Sequence, residues 1–139
     1  MAETDPFANI VAQHKGREGP LLPILHDVQA AFACVSEDAI RAIAAGLNLT
    51  RAEVFGVVSF YHDFKAEADP RPVVKLCRAE ACQARGVEAL VAGMVAQDRV
   101  KVEPIYCLGL CSVGPAAMVG GEVIARLDAA KLAALVAAA

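Results

Sequence analysis

Four of the chain's five cysteines fall into two pairs, Cys77 with Cys82 and Cys107 with Cys111. Four residues separate the first pair, three separate the second, and 24 lie between the pairs. This spacing constrains the fold more than any other feature. Met1–Pro6 carries two acids and no base, which is wrong for an export leader. The Ala-rich run Leu132–Ala139 falls far short of the roughly 20 apolar residues of a spanning helix. The chain therefore reads as cytoplasmic, without direct membrane contact and with its thiols reduced. In that setting, metal or redox chemistry is favoured over structural disulfides. No C-x-x-C pair is present, which disfavours thioredoxin-type disulfide exchange.

The stretch 1–65 reads as a helical region. Asp5 before Pro6 makes a helix start, and Phe7, Ile10, Val11 and His14 follow at helical spacing up to Gly16. Gly16–Pro20 reads as a linker. Leu21, Leu25, Val28 and Phe32 mark a second helix. Ser36, Glu37 and Asp38 start a third, which carries Ile40, Ile43 and Leu47. Thr50 and Glu53 form a capping box for a fourth, flanked by Leu49 and Val54 as a hydrophobic staple.

The pattern changes after Phe64, and the charged stretch Lys65–Arg71 reads as a linker. The second domain, 72–139, opens on the β-prone run Val73–Leu76. Val87, Leu90, Val91 and Met94 predict an amphipathic helix, and Val100–Glu103 alternates as a half-buried strand. Ala117–Val119 and Glu122–Ile124 flank Gly120-Gly121, which predicts a hairpin on a two-residue turn. Asp128 caps a last helix through Leu132, Leu135 and Val136. A helix between two strands predicts a parallel pair. Both cysteine pairs then sit in strand-end loops at one sheet edge, where four thiols converge. Gly109 lets the Cys107–Cys111 backbone wrap a metal without a Cβ clash. On spacing alone, the readings are an iron–sulfur cluster, a zinc site in a zinc-stabilised interaction module, or unligated thiols. All three histidines (His14, His26 and His62) fall in the helical half of the sequence.

Composition narrows the function further. Hydrophobic residues make up 57% of the chain and the net charge is −3, so a disordered chain is excluded. No concentrated basic patch marks a nucleic-acid binder. The sequence holds no nucleophile–base pair, phosphate-binding glycine loop or paired catalytic carboxylates, so no catalytic site of its own is expected.

Four segments carry a resemblance: Gly56–Tyr61, Cys77-x4-Cys82, Tyr106–Cys111 and Gly114–Val119. In that order they resemble the thioredoxin-like 2Fe–2S subunit shared by respiratory complex I, NAD-dependent formate dehydrogenases and bidirectional hydrogenases. The resemblance spans roughly residues 10 to 138. It implies an α/β architecture, an N-terminal helical bundle followed by a thioredoxin-like 2Fe–2S ferredoxin domain. By the same motifs, Cys77, Cys82, Cys107 and Cys111 are the ligands of one 2Fe–2S cluster. The implied partner is a flavin- and NAD-binding iron–sulfur subunit, with FMN and further Fe–S clusters. The 24-residue spacer is short for the respiratory branch. Leu76–Gln83 looks more like the small subunit of soluble, NAD-linked formate dehydrogenase. That parent implies a molybdenum-containing catalytic subunit; complex I and bidirectional hydrogenase are the alternatives.

Three further residue groups bear on this reading. Lys75, Arg78 and Arg85 flank the first pair. An oxidised 2Fe–2S site with four thiolates carries a net charge of minus two, so nearby cations favour its reduction; the alternative is ordinary solvated surface charge. Cys34 lies outside both pairs and reads as a small hydrophobe. Pro115 stands where thioredoxin-like folds carry a cis proline, although trans is the base-rate isomer.

Overall fold

A computed structural model describes residues 5–95 and 97–139. The chain divides into two compact units, Met1–Asp69 and Pro70–Ala139, and the division falls inside the charged stretch Lys65–Arg71.

The first unit is built from helices α1 (Pro6–His14), α2 (Leu21–Phe32), α3 (Glu37–Leu47) and α4 (Arg51–Phe60). The expected caps form. The Phe7 amide donates to Asp5 at 2.9 Å, and the Ala39 amide donates to Ser36 Oγ at 3.2 Å. At α4 the Thr50 amide donates to Glu53 Oε2 at 2.7 Å and the Glu53 amide returns to Thr50 Oγ1 at 3.2 Å, closing the capping box. Helix α1 ends at His14, ahead of Gly16. Lys15 is the C-cap, so Gly16 stands just past the helix end, where a terminating glycine is expected; the His14 ring makes two contacts there. It bonds Asp27 through Nε2 at 2.6 Å and Arg17 through Nδ1 at 3.1 Å, which ties α1 to the linker and to α2. Ile24, Leu25, Val28, Ile43 and Val54 are fully enclosed and form the centre of the core. Each contributes about 1.5–3 kcal/mol by leaving water. Helices α1 and α3 approach closely at Gly46, where a Cβ would come 2.7 Å from Val11 Cγ1.

The second unit is a four-stranded sheet of order β2-β1-β3-β4 with helices packed on it. Strand β1 (Val73–Cys77) pairs in parallel with β2 (Lys101–Ile105), Cys77 standing opposite Ile105. On its other side β1 pairs antiparallel with β3 (Ala117–Val119), which turns into β4 (Glu122–Ile124). Gly120 and Gly121 both have positive φ, 56° and 89°, as a tight hairpin turn requires. Strand β2 is an edge strand, which explains how it tolerates Pro104, a residue with no amide to donate. Val74, Leu76, Val87, Leu132 and Val136 fill the core, and Asp128 caps the last helix through the Lys131 amide at 2.8 Å.

Several sequence expectations need correction. One amphipathic helix was predicted between β1 and β2, but the chain forms two, α5 (Glu80–Ala84) and α6 (Val87–Ala92). Gly86 at φ 88° breaks the helix between them, and Gly93 ends α6 before Met94. Val100 lies outside β2, which begins one residue later. The Gly114–Pro115 bond is cis, against the base rate for X–Pro. The last helix α7 spans Ala129–Ala138. No helix among the described residues is long and apolar enough to cross a membrane.

Candidate iron–sulfur site

The parallel β1–β2 ladder sets the geometry of the cysteines. Cys77 is the last residue of β1, and its amide donates to the Ala116 carbonyl at 2.9 Å. The next amide, of Arg78, donates to the Ile105 carbonyl at 2.9 Å. Cys77 is thereby fixed from both neighbouring strands. Cys107 follows the end of β2 by two residues, at the same edge.

The expectation that both pairs occupy strand-end loops holds only for Cys107. Cys77 belongs to β1, Cys82 lies on α5, and Cys111 opens a single 3-10 turn, Cys111–Val113. The pairs also differ in burial. Cys77 and Cys82 are 2% and 3% exposed, whereas Cys107 and Cys111 face solvent.

Cys107 and Cys111 bring their Sγ atoms to 3.7 Å. Two sulfurs on one tetrahedral ion, each about 2.3 Å from it, stand about 3.8 Å apart, so this pair is spaced to share an iron. The Gly109 amide donates to Cys107 Sγ at 3.4 Å. Among the described residues, no three His, Cys, Asp or Glu side chains are placed to hold a single metal ion. A binuclear cluster instead takes thiolates two per iron, and the paired soft donors fit it.

The thiols differ in acidity. Burial pushes the Cys77 thiol up, but amides of Ala79, Cys107 and Leu108 and the Cys82 thiol together outweigh it, and the net shift is downward. Cys82 is pushed up by burial and by Cys77, against the Ala116 amide. Cys111 is pushed up mainly by Cys107, first through their hydrogen bond and then through charge, with smaller effects of burial and of Cys77. Each of these three thiols responds to its own partner or to a member of the other pair. Three amides aimed at Cys77 favour its thiolate, the form that ligates metal.

Two glycines shape the surroundings in different ways. At Gly109 a Cβ would meet nothing within 4 Å; glycine is suited there by its φ of +75°. The steric demand falls at Gly114, where a Cβ would stand 3.0 Å from Cys82 Sγ and 3.4 Å from Arg85 Cδ. Sequence reasoning treated Gly114 only as part of a motif, because the close approach joins residues 32 positions apart in the chain. Cys107 itself holds φ at +81°, a conformation that costs a non-glycine residue about 1–3 kcal/mol and that its packing must sustain.

The remaining candidates lie elsewhere. Cys34 is half-buried between α2 and α3 of the first unit. His14 is engaged by Asp27 and Arg17, and His26 meets the Phe64 ring edge-on at 5.1 Å. Of the flanking cations, Arg78 is paired with Glu88, and Lys75 has an interaction partner as well.

Known proteins share this arrangement. The NADP-reducing hydrogenase subunit HndA of Solidesulfovibrio fructosivorans is 29% identical over 118 residues, covering 77% of this chain and 69% of that protein. An NADH-quinone oxidoreductase subunit of Aquifex aeolicus is 29% identical over 119 residues, covering 78% and 74%. The structure is also similar to a crystal structure of NAD+-reducing [NiFe]-hydrogenase in the H2-reduced state, with a TM-score of 0.67 and 27% identity. That match covers 84% of this chain but only 21% of the solved chain. With this sheet, this cysteine edge and a match of the family model across residues 7–139, the chain belongs to the thioredoxin-like [2Fe-2S] ferredoxin family.

Proposed function

We propose that this chain is an electron-transfer subunit that holds one 2Fe–2S cluster on Cys77, Cys82, Cys107 and Cys111. When bound, such a cluster supplies one-electron redox chemistry. The observation that carries the reading is the 3.7 Å Cys107–Cys111 pair, two residues beyond a strand whose parallel neighbour ends on Cys77. The amides around Cys77 stabilise its thiolate, and the Gly109 amide donates to Cys107 Sγ. Hydrogen bonds to ligand sulfur favour the reduced form of such sites. Exposed Cys107, Cys111 and Tyr106 present this edge to a redox partner.

The parent complex we propose is a soluble, NAD-linked formate dehydrogenase, with a flavin- and NAD-binding iron–sulfur subunit and a molybdenum-containing subunit as partners. The Leu76–Gln83 segment and the 24-residue spacer support it. A second reading, the equivalent subunit of an NADH-quinone oxidoreductase or NAD-reducing hydrogenase, is supported by the relatives named above. In each case the chain provides an electron relay and its partners do the chemistry.

Electron paramagnetic resonance of the reduced full-length chain tests the cluster. A rhombic 2Fe–2S signal that disappears or changes shape on Cys-to-Ser replacement at each of the four positions is the expected result. A colourless, zinc-loaded protein would sink it. Affinity recovery of the tagged chain from its source tests the parent. Molybdenum, flavin and formate-dependent NAD reduction support the first reading; nickel, or quinone reduction in a membrane complex without molybdenum, supports the second.

A further inference from the structure

In sequence, the cations flanking the first cysteine pair read either as charges favouring reduction or as ordinary solvated surface charge. Their settings differ. Arg78 follows Cys77 directly, and its amide is bonded to Ile105, two residues before Cys107, so it sits between the two cysteine-bearing segments. Its carbonyl accepts a hydrogen bond from Gln83 Nε2 at 2.7 Å, beside Cys82. Its side chain is held in a two-bond fork by Glu88 of α6. Nε donates to Oε1 at 2.9 Å and Nη2 donates to Oε2. The break at Gly86 is what starts α6 where Glu88 can reach back across ten residues.

Such a fork is strongest when both charges are present, and at a distance it acts as a dipole instead of a cation. We propose that Glu88 is a positioning residue that holds Arg78 as a closed, near-neutral pair beside the cluster and so keeps the reduction potential below what a bare Arg78 would set. This rests on the cluster reading above. The oxidised site carries a net charge of minus two and gains one electron on reduction, so an uncompensated cation stabilises the reduced form and an uncompensated carboxylate opposes it.

The test is a dithionite redox titration of the full-length, cluster-bearing chain, followed by the reduced-cluster EPR signal. Wild type, Glu88→Gln, Arg78→Gln and the double variant are compared. At a fixed ambient potential, Glu88→Gln raises the ratio of reduced to oxidised cluster by about threefold to tenfold. A tenfold change corresponds to about 59 mV for a one-electron couple. Arg78→Gln, which removes the charge adjoining Cys77, lowers the ratio by at least as large a factor, and the double variant returns to within about twofold of wild type. Glu88 is about half exposed, so glutamine fits there without repacking. Single variants that shift in the same direction, or a Glu88→Gln titration that overlays wild type, would overturn the proposal while leaving the cluster assignment intact. A wild-type chain without a 2Fe–2S signal would remove both.

Discussion

Cys77 and Cys82 belong to the core of the sheet unit, whereas Cys107 and Cys111 stand at its surface. The first pair is placed by a strand and a helix, and both residues belong to the buried cluster that also holds Val74, Leu76 and Val87. The second is placed by a loop with a strained Cys107 and by one 3-10 turn. The contrast teaches how a small domain serves two demands at once. One side of the site must be rigid and dry to hold its geometry, and the other must be open for an electron to leave. The two pairs should therefore fail in different ways.

The largest expected difference is in stability. Serine at Cys77 or Cys82 places a hydroxyl in an apolar core and should cost the cluster-free chain about 1–3 kcal/mol. Serine at Cys107 or Cys111 should stay within about 0.5 kcal/mol, as surface changes usually do. Urea unfolding of the four variants measures this. Equal losses at all four sites would erase the distinction between anchoring and presenting pairs. Cys34→Ser serves as the control and should leave the cluster signal unchanged, because Cys34 lies in the other unit's fold.

A second effect, comparable in stability but confined to one variant per unit, comes from two glycines that each sit against a neighbour. Gly114→Ala would press a methyl toward Cys82 Sγ, on the buried side of the site. It should alter the EPR line shape and cost about 1–3 kcal/mol through overpacking. Gly46→Ala meets Val11 Cγ1 even more closely, at 2.7 Å, and the stiff, buried valine cannot easily give way. It should destabilise the helical unit by a similar amount with no change in the EPR signal. A changed signal in Gly46→Ala would show that the two units do not respond separately.

The smallest effect expected is a pH dependence confined to the helical unit. The Thr50 amide, and secondarily its hydroxyl, hold the Glu53 carboxyl below its ordinary 4.5. A group with a depressed folded-state value stabilises above its unfolded value and loses that contribution as pH falls through the folded one. Unfolding measured from about pH 6 down to about pH 3 should therefore lose less stability in Glu53→Gln than in wild type. Identical slopes would mean that the capping box does not persist in solution.

How much of this was legible beforehand differs between the two units. Asp5, Ser36, Thr50 and Asp128 were readable as caps because a cap bonds an amide two or three residues away. The Gly120-Gly121 turn was readable for the same reason. The cysteine edge required one inference more, that β1 and β2 run parallel, and the ladder shows it. Helix α5 was not legible: it has five residues, no side-chain cap and too little length to display a period.

By itself, then, the sequence singled out the cysteines proposed to carry the chemistry and determined where most helices begin, since those signals are local and few alternatives satisfy them. Tertiary structure alone decided that one cysteine pair is buried and the other exposed, because burial depends on what β3, α6 and α7 bring over each sulfur. It also decided that glycine is required sterically at residue 114 and conformationally at residue 109, a distinction invisible without Cys82 in place. The same holds for Arg78. In sequence it is a cation beside a cysteine; in the fold, Glu88 reaches it from α6, beyond the intervening α5, and pairs its charge.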